Sequence, residues 1–148
     1  MTRRTLRGLV LALLVFLPAW AVASNHDSAV DEVLIILSSD SPQTQGMAMV
    51  LGNTMAVEGA AVDVLLCDAA GDLALNDGSG GAELAPKGFT PGKLLQALRK
   101  KGASVSVCAL YLPNSEYQKS DLADGVSVAK PPQITALMRN RDMRVFTF

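Results

Sequence analysis

The sequence predicts one α/β domain, a three-layer sandwich in which a mainly parallel sheet is flanked by helices. Three observations predict it. Glu32-Val-Leu-Ile-Ile-Leu37 is a continuous apolar run without alternation, which suits a strand buried on both faces. Strand-like and helix-like segments then alternate in the order β-α-β-loop-α-β-loop-α-β, the pattern of a parallel sheet with right-handed crossovers. Finally, Ser41-Pro42 and Thr90-Pro91 repeat one helix-starting device, an N-cap followed by proline at the first helical position. No internal repeat or linker divides the chain.

The first helix should run from Pro42 to about Glu58, with Gly59 ending it. Met47, Val50, Leu51 and Met55 recur at helical spacing and mark its expected apolar face. Ala48, Gly52 and Ala56 form a stripe of small residues that would let a neighbour approach closely. Thioethers suit soft metals such as copper, but core packing accounts for the methionines. Ala61-Val-Asp-Val-Leu-Leu-Cys67 is the second strand. Asp68 to Phe89 is too long for an ordinary connection, so it should be functional or partly helical, pinned by Leu73, Leu75 and Leu84. The spacing of Asp68, Asp72 and Asp77 does not match a calcium loop, and these read as solvated turn residues. Leu94, Leu95 and Leu98 give the second helix its apolar face, and Lys100-Lys101-Gly102 reads as its end. Val105 and Val107 mark the third strand, which runs into Cys108. The stretch from Asn114 to Lys130 is polar, with a short turn of helix expected at Ser120 to Asp124. Pro131-Pro132 opens a third helix with Ile134, Leu137 and Met138 facing inward, and Met143 to Phe148 reads as a last strand.

Residues 1–23 stand apart from this pattern. Arg3, Arg4 and Arg7 precede an apolar run from Leu9 to Leu17, and Ala21-Val22-Ala23 is a small-x-small cleavage site. That is the pattern of a secretory signal peptide cleaved before Ser24. From Gly8 to Ala23 there are 16 residues, short of the ~20 that span a bilayer. Thr2-Arg3-Arg4-Thr5-Leu6 partly resembles a twin-arginine signal, so both export routes stay open. The expected mature domain, residues 24–148, would be periplasmic or secreted, with no membrane span. Removing three arginines from 13 Lys+Arg leaves 10 against 14 Asp+Glu, a net charge of −4. That balance argues against a nucleic-acid partner, which would want a basic patch. His26 is the only histidine, so neither a histidine-based triad nor a multi-histidine zinc site can be built in one chain. No metal or cofactor is implied. Dinucleotide and phosphate-loop glycine motifs are missing from the sequence.

The carboxyl edge of a parallel sheet is where ligands and chemistry collect. It would gather Ser38, Ser39, Asp40 and Ser41, then Cys67 and Asp68, then Cys108 to Tyr111. The serines precede a helix N-terminus, whose free amides favour anions. Cysteine is the strong nucleophile in this set, and helix N-termini nearby would lower a thiol pKa. An oxidising compartment allows Cys67 and Cys108 to pair, but two cysteines do not make a disulfide scaffold. If the first strand lay between the second and third, the two cysteines would be separated by about 9–10 Å. They would then be too far apart for a resting disulfide.

Two stretches are similar to the DsrE/DsrF-like proteins. One is Leu34-Ile-Ile-Leu-Ser-Ser-Asp40 with the small-residue helix and Gly59-Ala-Ala-Val-Asp-Val-Leu-Leu66. The other runs from Thr90-Pro-Gly-Lys through Lys101-Gly-Ala-Ser-Val-Ser-Val-Cys108. The resemblance implies a DsrE/flavodoxin-like fold and assembly into trimers or hexamers. It also implies a persulfide carried on Cys108, exchanged with a sulfur donor or acceptor protein. Relay members are cytoplasmic, so the export signal is a departure. Cys67 would be a resolving thiol or a bystander, and Asp40, Asp68 and Tyr111 are accessory candidates.

The leading reading is therefore an exported sulfur-handling protein acting through Cys108. The alternative is a non-catalytic module that binds an anion or small molecule, or assembles, with structural cysteines. A thiol peroxidase is disfavoured because no Thr-x-x-Cys precedes either cysteine.

Overall fold

A computed structural model describes residues 32–76 and 80–148. The expected signal peptide (residues 1–23), His26 and Asp77 lie outside the described residues. Five parallel strands form one sheet in the order β4-β3-β2-β1-β5. They are β1 (Glu32–Leu37), β2 (Ala61–Leu66), β3 (Ser104–Val107), β4 (Ser127–Val128) and β5 (Met143–Thr147). The helices are α1 (Pro42–Val57), α2 (Pro91–Lys100) and α3 (Pro131–Arg139).

The topology follows from the handedness of crossovers. The chain steps from β1 through α1 to β2, then through α2 to β3, always in one direction. Right-handed crossovers in one direction put α1 and α2 on the same face. The step from β4 through α3 to β5 runs the opposite way, so α3 covers the other face. The larger core lies under α1 and α2 and holds Val33, Ile35, Leu37, Val62, Val64, Leu66, Leu95 and Leu98. A smaller cluster of Leu34, Leu65 and Met143 lies under α3, with Ile134 and Leu137 packed on it.

Both helix-starting devices form as expected. Ser41 Oγ accepts from the Thr44 amide at 3.5 Å, and Thr90 Oγ1 accepts from the Lys93 amide at 3.2 Å. Gly102 follows α2 with φ +98°, in the left-handed region that a residue with a Cβ rarely enters.

Four expectations need correction. Of the four residues expected to form the apolar face of α1, Met55 packs against the core but the other three do not. Met47, Val50 and Leu51 are exposed, whereas Gln45, Gly46, Ala48, Met49 and Gly52 are buried. The reason is close approach. A Cβ at position 52 would sit 2.9 Å from Ile35 Cδ1 and 3.0 Å from Leu98 Cδ2, so the small-residue stripe is the inner face. Met138 of α3 is exposed as well, leaving Ile134 and Leu137 as that helix's contacts. The polar stretch after β3 contains a strand, β4, that no periodicity announces, because it is two residues long. Lastly, β1 does not lie between β2 and β3. The pairing is β2 directly with β3, in register Asp63↔Ser104, Val64↔Val105, Leu65↔Ser106 and Leu66↔Val107.

The long connection after β2 is partly helical, opening with a 3₁₀ segment at Asp68–Ala74. Ala70, Leu73, Ala74 and Leu75 from this segment join the main core, so it forms part of the wall at the carboxyl edge.

Candidate functional site

The β2–β3 register decides the geometry of the site. One step beyond the Leu66↔Val107 pair, the two strands end in Cys67 and Cys108. Side chains alternate along a strand, so Asp63, Leu65 and Cys67 share one face of β2, and Ser104, Ser106 and Cys108 share the same face of β3. The thiols therefore emerge side by side, above the α3 face, where both touch the smaller core cluster. Neighbouring strands lie about 4.8 Å apart, so the expected separation of 9–10 Å fails for these two residues. Both are free thiols and partly exposed.

The backbone holds them firmly. The Cys67 amide donates to Leu37 O at 2.8 Å and the Cys108 amide to Leu66 O at 2.7 Å. Each carbonyl is taken by the following turn, Cys67 O by the Ala70 amide at 3.1 Å and Cys108 O by the Tyr111 amide at 2.9 Å. Placement on a ladder fixes the sulfurs more closely than a loop would.

An open cleft of about 470 Å³ lies at the pair, lined by Cys67, Asp68, Ala69, Asp72, Cys108, Leu110, Tyr111, Asn114 and Ser115. Tyr111 builds one wall. Its hydroxyl donates to Asp72 Oδ1 at 2.7 Å, its ring stacks on Tyr117 at 6.4 Å, and it packs on Gly71, which has no Cβ to interfere. Asp68 has φ +49°, an αL conformation that Asp tolerates better than most residues, and it turns the chain directly after Cys67.

Burial pushes the Cys67 thiol up to about 12, helped by its hydrogen bond with Cys108 and by repulsion from Cys108 and Asp68. Cys67 thus remains a protonated thiol at neutral pH.

Of the accessory candidates, Asp68 and Tyr111 reach this cleft. Asp40 and the three serines do not line it. They follow the end of β1. Ser39 Oγ accepts from the Ser41 amide at 3.1 Å, and Ser38 Oγ donates to Phe148 O at 3.3 Å. Ala69, Asn114 and Ser115 of the lining are not singled out by sequence, and Asp72 reads there only as a turn residue. Asp72 in particular is a hydrogen-bond acceptor for Tyr111 rather than a merely solvated turn residue. One signal could have revealed the thiol pair: consecutive strands of a parallel sheet are usually neighbours, and both of these end in cysteine. No group of three or more metal-ligating side chains occurs among the described residues.

Among solved structures, the YchN protein of E. coli superposes on the chain with a TM-score of 0.64. The match covers 80% of this chain and 98% of that one, at 15% sequence identity. The chain has the YchN fold. That likeness agrees with the DsrE-like architecture at the level of fold. No family model matches the chain, and no curated protein does. Like YchN, then, the chain is built as a parallel α/β sandwich, and what it does must be argued from its own carboxyl edge.

Proposed function

We propose that the chain is an exported sulfur-handling protein in which Cys108 accepts a sulfane sulfur as a persulfide and hands it to an acceptor. One observation carries this reading: a partly exposed thiol stands at the carboxyl end of a parallel strand, facing a cleft large enough for a small sulfur compound or a donor's cysteine loop. The YchN-like fold and the DsrE-like sequence pattern support it. Cys108 acts as nucleophile, while Tyr111 and Asp72 hold the wall of the cleft.

The test is intact mass of the reduced, full-length chain after brief exposure to inorganic polysulfide. A gain of sulfur that disappears in Cys108→Ser supports the proposal. Uptake unaffected by that substitution, or none at all, overturns it.

Assembly is the second part of the proposal. Met47, Val50, Leu51 and Val57 leave an exposed apolar strip along α1, which is the kind of surface a second copy would cover. A trimer or hexamer in native mass measurement would agree, and a monomer at all concentrations would refute it.

A further inference from the structure

Cys67 is not needed to accept a sulfur, yet the fold places it directly beside Cys108. We propose that Cys67 resolves a persulfide on Cys108, expelling the outer sulfur as hydrosulfide and closing a Cys67–Cys108 disulfide. This rests on the reading of Cys108 as sulfur acceptor and adds a second activity: reduction of sulfane sulfur to sulfide.

The geometry supports the step. Adjacent strands put Cα atoms about 4.8 Å apart, within the roughly 4.4–6.8 Å that a disulfide spans. The two side chains share a face, and the two thiols are close enough to interact. No loop has to move to bring the sulfurs together, since both residues are tied into the ladder by their amides.

The chemistry balances without an added oxidant, because the sulfane sulfur is the oxidant. Cys67 Sγ attacks the inner sulfur, Cys108 Sγ. The bond from Cys108 Sγ to the outer sulfur breaks, and its electron pair leaves with the outer sulfur. The proton that Cys67 holds goes to the departing sulfur, giving HS⁻. The outer sulfur is reduced by two electrons and the two cysteines are oxidised by two. An external thiol reductant, acting by thiol–disulfide exchange, resets the pair.

The experiment follows the reduced, full-length protein after a pulse of inorganic polysulfide and immediate desalting. Released sulfide is assayed over time, alongside intact mass and peptide mapping after alkylation in denaturant. Wild type should gain one sulfur, then lose it as sulfide while an intrachain Cys67–Cys108 peptide linkage appears. Cys67→Ser and Cys67→Ala should keep the sulfur on Cys108 and lose sulfide release. If wild type holds its persulfide as long as these variants, or links only between chains, resolution by Cys67 is overturned while the acceptor reading stands. If wild type takes up no sulfur and forms no linkage, the acceptor reading falls and this inference with it. Should both variants fail to fold, the linked peptide in wild type decides alone.

Discussion

Tyr111 donates its hydroxyl to Asp72 Oδ1 at 2.7 Å, joining the turn after β3 to the turn after β2. The two cysteine-bearing strand ends are therefore tied together above the sulfurs as well as through the sheet. Tyr111→Phe should cost about 0.5–1.5 kcal/mol, the usual net worth of such a bond. Gly71→Ala should do more to the cleft, because its Cβ would meet the Tyr111 ring at 2.3 Å and force the ring away. Chemical denaturation reads the first effect, and faster alkylation of Cys108 in Gly71→Ala reads the second.

Cys67 should be the slow thiol. With its pKa pushed up to about 12 by burial first and Cys108 second, it should alkylate more slowly at pH 8 than an unhindered cysteine. In Cys108→Ser the thiol partner and its repulsion are gone while burial stays. The Cys67 reactivity profile should then shift to lower pH without reaching the ordinary 9.0. An unchanged profile would refute the coupling.

The same shift bears on stability. The folded chain holds the Cys67 proton more tightly than the unfolded chain does, so this contribution is complete below pH 9.0 and is lost as pH rises towards 12. Melting temperature should fall across that window more steeply in wild type than in Cys67→Ala.

Asp63 lies on the sparsely covered face of β2, in a cleft it shares with Ser104, Ser106 and Gln133. Burial raises its carboxyl pKa above 3.8, and a hydrogen bond with Ser104 opposes this in part. The fold therefore favours the protonated acid, a contribution that is complete below pH 3.8 and lost as pH rises through the folded value. Asp63→Asn should melt higher than wild type at neutral pH, and Ser104→Ala lower. Equal melting of Asp63→Asn and wild type from pH 3 to 7 would refute this.

Position 52 should resist enlargement. Gly52→Leu must displace two fully buried side chains, Ile35 and Leu98, and overpacking costs about 1–3 kcal/mol. In Gly52→Ala the added methyl meets the same atoms, but the gain in helix propensity of roughly 1 kcal/mol offsets part of the strain. Urea midpoints should rank wild type and Gly52→Ala close together, with Gly52→Leu far below.

Much of this fold is legible in the chain. The unbroken apolar run of β1 suits a strand covered on both sides, as it is, and the Ser-Pro and Thr-Pro pairs set the starts of α1 and α2 to the residue. The strand order was not legible, because periodicity describes one element at a time and says nothing of which strands pair. The thiol pair was hidden for the same reason: each cysteine could be placed at a strand end, but only the β2–β3 ladder makes them neighbours. The β4 strand escaped because Ser127-Val128 is too short to show alternation, and it is defined by contacts such as the Ala129 amide to Val107 O at 2.8 Å. The inner face of α1 is not legible from residue size, because the helix lies so close to the sheet that Gly46, Ala48 and Gly52 share that face with Met49.

That inversion separates two kinds of selection on α1. Its small residues answer to the interior of a single chain, where one methylene too many is felt. Its large ones, Met47, Val50, Leu51 and Val57, are exposed and contribute little to holding the chain folded. Substituting polar residues along the outer strip should leave the unfolding midpoint of a dilute sample nearly unmoved, so α1 can be rewritten on its outside to probe association without disturbing the architecture beneath.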